Sequence, residues 1–391
     1  MLQSGRLTDK SGPHRLYKFG VQLFVIGVLL STIAPTLWFL VFARGLAAAS
    51  QALMGPAAVA LVIMYSGRGR EAEAVGRWGF YTAVAGAISP LIVTSLISTF
   101  TWRALFALQI PIGIFVLYCL SGAEFPHGGD KSVSIKIFDS VLTIAGLSAI
   151  ILPIVKADSW GIYSIKTLAL LMGGLFLLAV LVKRSSDSAS SPLQLQLFQN
   201  RNFLISSIMS LFAGIAFYAH WLAVLLFLTE VWEYGIVKAG LLLTIMPGSM
   251  SLCSISFGRI SDRYGFRRVV IPGISIYSLL FFFFWLFVDI NESMVFLIPA
   301  LIGSGIGMAT VWPTLTSIGA SGTSESLLGS ATSVIHTIQR IGGALGIAVV
   351  LAIIGTVGES GSFEAYRSGL LVMPIAGFLT FLSAIRLSNR S

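Results

Sequence analysis

The sequence predicts an all-α, polytopic membrane protein, and three observations predict it. Hydrophobic residues make up 56% of the 391-residue chain and charged ones only 10%, whereas about a quarter of an ordinary soluble domain is charged. The mean hydropathy is +0.90. The apolar runs extend for roughly 18 to 25 residues between charged or Gly/Pro/Ser-rich breaks, and about 20 residues of helix cross a hydrocarbon core. Strands of a membrane barrel would instead alternate polar and apolar residues in pieces of about ten.

The first run, 17–34, follows a basic stretch and ends at the two-residue link Pro35-Thr36, which forces an antiparallel neighbour. The second, 37–65, carries Arg44 in its interior. The charged segment from Arg68 to Arg77 separates it from the third, 79–98, which contains Pro90; the fourth, 102–119, opens on Trp102-Arg103. Spans 138–155 and 168–182 precede a Ser-rich linker at 185–191. The remaining runs are 203–228, 239–257, 269–288, 294–318, 330–354 and 369–385. Together these make about twelve spans.

Assigning loops alternately to two sides places Arg6, Lys10, Arg15, Arg68, Arg70, Arg77, Lys131, Lys136, Lys183, Arg184, Arg201, Arg259, Arg263, Arg267, Arg268, Arg386 and Arg390 together. Only Arg103, Lys156, Lys166, Lys238 and Arg367 fall opposite. Such an excess orients the first group to the cytoplasm. The net charge of +9 thus reflects membrane orientation rather than nucleic-acid binding. Cys119 and Cys253 lie within apolar runs and read as small hydrophobic residues. The N-terminal region is polar and basic, without the pattern of a cleavable signal peptide.

The chain is internally repeated. Residues 258–268 read Gly-Arg-Ile-Ser-Asp-Arg-Tyr-Gly-Phe-Arg-Arg, and residues 5–15 read Gly-Arg-Leu-Thr-Asp-Lys-Ser-Gly-Pro-His-Arg. Gly5, Arg6, Asp9, Gly12 and Arg15 therefore match Gly258, Arg259, Asp262, Gly265 and Arg268, and Arg263 and Arg267 complete the charge of the second copy. About eight spans separate the copies, where a simple duplication of six-helix halves would place six. Spans 138–155 and 168–182 are the expected extra pair. By the same symmetry two helices are expected before the first copy, giving a 4 + 2 + 6 arrangement with the first half lacking its first two helices.

These residues resemble the major facilitator superfamily, whose cytoplasmic loop motif is Gly-x-x-x-Asp-x-x-Gly-x-Arg-x. More specifically the chain resembles the 14-helix drug:proton antiporter branch. Trp102-Arg103 through Phe106, with Ile110-Pro111-Ile112-Gly113, is similar to a signature of that branch; Arg44 with Ala48 and Ala49 is similar to its arginine motif, and 340–346 to its penultimate helix. Departures exist: the motif's Gln and Gly fall at Ala47 and Ala48, and 89–94 keeps only Pro90 of the antiporter motif Gly-Pro-x-x-Gly-Gly. The family's first helix, which often carries an embedded aspartate, has no counterpart.

The resemblance implies that the two motif copies latch cytoplasmic helix ends in one state of an alternating-access cycle, and that Arg44 faces a central cavity and couples to protons. A snorkelling arginine is the alternative. His336 and Arg340 share one helical face and are cavity candidates, with helix packing the alternative for Arg340. Tyr218, His220 and Trp221 are further substrate candidates, with a hydrogen-bonded packing role the alternative for His220. Asp139 reads as a helix N-cap. Pro90 is expected to bend its helix.

No nucleotide-binding, metal-binding or catalytic motif is present, so the chain is expected not to be an enzyme and to need no cofactor, drawing energy from a proton gradient. The expected organisation is an N-terminal half over 1–120, linker helices over 121–191 and a six-helix half over 192–391. The expected activity is proton-coupled export of a small molecule, a drug or metabolite, by a monomer in the plasma membrane with the repeated motif cytoplasmic. Its partners are the substrate, protons and the lipid bilayer. The alternative is a truncated, non-transporting membrane protein or scaffold.

Overall fold

In the computed structural model of the chain, residues 2–67, 69–122, 137–156, 160–161, 164–186, 195–320, 327–355 and 362–387 are described. Arg68, Lys131, Lys136 and Arg390, counted above for charge sidedness, lie outside them, as do residues 187–191 of the Ser-rich linker. The described elements are helical. In chain order they are α1 (Leu2–Ser11), α2 (Pro13–Thr32), α3 (Leu37–Met64), α4 (Glu71–Thr99), α5 (Arg103–Ala107), α6 (Gln109–Ser121), α7 (Ile137–Val155) and α8 (Ile165–Ser186). After a short 3₁₀ turn come α9 (Arg201–Leu226), α10 (Ile236–Leu243), α11 (Ile245–Tyr264), α12 (Phe266–Phe287), α13 (Met294–Ala320), α14 (Leu328–Ile354), α15 (Phe363–Leu370) and α16 (Val372–Ala384).

Every expected span coincides with one of these helices or with a broken pair of them. Among the described residues, ten helical stretches are long and apolar enough to cross a membrane. The expected spans 79–98 and 138–155 are helical as well, within α4 and α7. Side chains facing outward are large and apolar, with Trp38, Phe115 and Leu252 among the most exposed, as a lipid-facing surface requires.

The duplication read from the sequence recurs in three dimensions. A single glycine, Gly12 or Gly265, joins α1 to α2 and α11 to α12, each with a positive φ of 82° or 89°. That left-handed conformation favours glycine, and it lets two helices meet without a loop. The repeated stretches were expected to be short loops; each instead runs from the end of α1 or α11, across this one residue, into the first turn of α2 or α12.

At the opposite end of α2 and α12 a second correspondence appears. Arg103 Nη2 donates to the Ala34 carbonyl just beyond α2 at 2.8 Å, and Arg367 donates to the carbonyls of Trp285 and Leu286 at the end of α12 at 3.1 and 3.2 Å. Each guanidinium also lies over a tryptophan, Trp102 at 4.4 Å and Trp285 at 5.2 Å. Helix C-termini carry unsatisfied carbonyls and negative partial charge, so a cation there is favourable. The helices that follow are both broken, α5 from α6 at Leu108 and α15 from α16 at Leu371, each with a proline three residues on, Pro111 and Pro374.

The halves meet where α4 packs along α11 and α1 packs against α14. Small residues allow the approach: a Cβ at Gly76 would stand 2.6 Å from the Ser254 carbonyl oxygen. α7 and α8 pack on each other, and Asp139 does not cap α7. It lies in the first turn, 1% exposed, and pairs with Arg184 Nε of α8 at 2.9 Å. A carboxylate so buried needs a cation, and α8 supplies it.

Candidate functional site

The two copies of the motif carry out the same local operation. Asp262, on the last turn of α11, accepts the backbone N–H groups of Ala72 and Glu73 at 3.0 and 2.8 Å, at the first turn of α4. Asp9, near the end of α1, accepts those of Gly329 and Ser330 at 2.9 and 3.1 Å, at the first turn of α14, and the Ser330 hydroxyl as well. A carboxylate at the C-terminal end of its own helix is poorly placed for that helix's dipole. Aimed at another helix's N-terminus, it meets orphan N–H donors and positive partial charge.

The first glycine of each copy makes the contact close. A Cβ at Gly258 would stand 2.5 Å from the Ala72 oxygen and 2.8 Å from Glu73 Cα, and one at Gly5 would stand 2.7 Å from Ser333 Cβ. The copies differ in their charged surroundings. Arg259 and Arg77 both reach Glu73, at 3.0 and 2.7 Å, and these hydrogen bonds, Arg77's first, hold its carboxyl below the ordinary range. In the other copy Asp9 and Arg6 are 7% and 4% exposed. Burial pushes the Asp9 carboxyl up to about 6 against the opposing effect of its hydrogen bonds and of Arg6. Arg15 and Arg263 are exposed, and Arg267 is half-buried.

A cavity of about 440 Å³ opens between the halves, lined by α3 and α4 from one side and α9, α11, α13 and α14 from the other. Tyr218, Trp221, His336 and Arg340 line it. Trp78, Trp312, Phe217, Gln51, Thr82 and Gln339 also line it and were not singled out. Gln339 was within reach of sequence reasoning, since it lies three residues from His336 on the same helical face. The Gly-rich run 340–346 is a packing seam: Cβ atoms at Gly342 and Gly346 would press on the α9 backbone at Leu211 and Ile215. Gly343 leaves room for the Tyr218 ring, whose Cε2 would stand 2.8 Å from a Cβ there. Arg340 lies over that ring, 5.7 Å from its centre.

Two expectations need correction. His220 does not line the cavity: it is 0% exposed and packs edge-on against Phe281 of α12 at 5.1 Å. Arg44 is not among the lining residues either; it is exposed, with its guanidinium 5.2 Å over the Phe106 ring. It precedes the lining residue Gln51 by seven positions, nearly two turns and about 10 Å along the same face of α3. Pro90 falls inside α4.

The family model described as Major Facilitator Superfamily matches residues 1–347. The multidrug resistance protein Stp of Mycobacterium tuberculosis is 23% identical over 352 residues, 90% of this chain and 65% of that protein, so the chain spans under two thirds of its length. The lincomycin resistance protein LmrB of Listeria monocytogenes is 24% identical over 354 residues, 90% of this chain and 74% of that protein. The crystal structure of the transporter FucP in its outward conformation superposes with a TM-score of 0.67 at 14% identity, covering 99% of this chain and 86% of that one.

Proposed function

The chain belongs to the Major Facilitator Superfamily, and on that premise we propose that it exports a small molecule across the plasma membrane by proton-coupled alternating access. The observation that carries this reading is the cavity between the halves together with the two equivalent carboxylate clasps, Asp9 on α14 and Asp262 on α4, that join those halves. Both clasps lie at the ends where α2 and α12 begin, so they close the same end of the molecule. In this proposal that end is cytoplasmic, as the basic loops suggest.

Breaking both clasps frees α4 and α14 to swing from α11 and α1, exposing the cavity to the other side; remaking them resets the cycle. Such clasps suit a switch, because a few charge-assisted hydrogen bonds contribute an amount of free energy comparable to that separating two conformers. Arg44 is the proposed proton-coupling residue, placed two turns from Gln51 on the same face of α3. Transport needs no cofactor in this scheme, and the functional unit is a monomer. The relatives described above are resistance proteins, which supports export of a drug or metabolite over a non-transporting scaffold.

The test is transport in proteoliposomes with an imposed pH gradient. The proposal predicts gradient-driven accumulation of substrate that collapses with a protonophore. Movement unaffected by the gradient would remove proton coupling and leave facilitated diffusion.

A further inference from the structure

We propose that the cavity takes a planar aromatic molecule carrying a single negative charge, with Arg340 as the anchor of the anionic group. The inference rests on reading this cavity as the substrate site. Among its described lining residues Arg340 is the only permanently charged one, and no carboxylate lines it. The ion pairs formed among the described residues engage Arg77, Arg184, Lys238, Arg259 and Arg367, not Arg340. A guanidinium inside a membrane-spanning bundle without a counter-ion gains most from an anion that arrives with the ligand. A cationic ligand would meet like charge and find no acid to offset it.

The neighbouring polar atoms extend the same preference. Gln339 is 1% exposed, and its amide Nε2 is buried without a hydrogen-bond partner. Its Oε1 is engaged by His336 Nδ1 at 3.0 Å. The amide thus keeps two N–H donors for an oxyanion beside Arg340. The same contact fixes the His336 proton on Nδ1, so the buried and unpartnered Nε2 is an acceptor for one hydroxyl or N–H group of the ligand. Around these polar atoms stand Trp78, Phe217 and Trp312, the last two with ring centres 4.8 Å apart. Their flat faces suit an aromatic ring.

The test is calorimetric binding to the purified chain of 2-naphthoate, 2-naphthamide and 2-naphthylmethylammonium, which share one ring system and differ in charge. The naphthoate is expected to bind about tenfold or more tighter than the amide, with the ammonium weakest. Arg340→Gln should bring the naphthoate-to-amide ratio near one, while Arg340→Lys keeps most of it. Ammonium binding as tight as naphthoate, a ratio that survives Arg340→Gln, or binding of none of the three at about 1 mM would overturn the proposal. Should Arg340→Gln not fold, the ordering of the three probes on the unaltered chain decides. The expected ordering without any transport in vesicles would overturn the transporter reading and leave the anion site standing. Transport combined with a preference for the ammonium would do the reverse.

Discussion

Asp9 and Asp262 hold opposite halves of the molecule by the same bond pattern. Each carboxylate receives two successive backbone N–H groups from the first turn of a helix in the other half, over sequence separations of 320 and 190 residues. Such a pairing ties the relative position of the halves to two side chains.

Asp9→Ala should weaken the closed arrangement more than Asp262→Ala. Asp9 is almost fully buried and Asp262 only half-buried, so removing Asp9 strands the Gly329 and Ser330 N–H groups away from water. The expected cost is about 2–4 kcal/mol for Asp9→Ala and about 1–2 kcal/mol for Asp262→Ala. Thermal unfolding of the two variants in detergent checks the order.

Acid should tighten the Asp9 clasp. Its carboxyl titrates near 6, above the ordinary value of 3.8, so the folded, clasped state binds a proton more readily than the solvated one. The contribution is fully present below about 3.8 and is lost as pH rises through about 6. Melting temperature should therefore fall between about pH 4 and pH 6, and the part of that slope due to this group should vanish in Asp9→Asn. An unchanged slope in the variant would assign it to another group.

Gly258→Ala should hold the halves apart. The added Cβ meets backbone at Ala72 and Glu73 rather than a flexible side-chain end, and overpacking of this kind costs about 1–3 kcal/mol. The proposed consequence is slowed transport with substrate binding retained. Measuring both on one preparation separates a gating defect from misfolding.

Asp139→Ala and Glu73→Gln should differ in kind. Asp139 is a buried acid whose loss leaves Arg184 unpaired between α7 and α8, at about 1–3 kcal/mol with the partly exposed guanidinium able to reach water. Glu73 pairs with Arg77 and Arg259, which are more than half exposed, and its loss should cost under about 1 kcal/mol. Melting temperatures of the two variants check the contrast, and the naphthoate affinity should change in neither.

Much of this was legible in the sequence because the membrane imposes it. Span lengths follow from hydrocarbon thickness, and the duplicated motif marks both clasp carboxylates. The N–H donors were hidden: nothing local to Gly329 or Ala72 announces that a carboxylate far along the chain will cap it. His220 was misread for a reason that periodicity exposes. Tyr218 and Trp221 are three residues apart and share a helical face, whereas His220 is rotated about 200° from Tyr218 and faces α12. Arg44 lies on the expected face of α3, but periodicity gives no depth, and the cavity begins two turns further along at Gln51. The matched arginines Arg103 and Arg367 escaped notice because their targets are backbone carbonyls, which carry no sequence signature.

The central claim is that the Asp9 and Asp262 clasps open and close during transport. Spin labels at Arg70 and Tyr264, both exposed beside the Asp262 clasp, in a chain with Cys119 and Cys253 replaced, report on it by double electron–electron resonance. The account predicts a short distance and a longer one, with Asp262→Asn shifting the population toward the longer. A single unchanged distance in both proteins, while the labelled protein still transports, would contradict it.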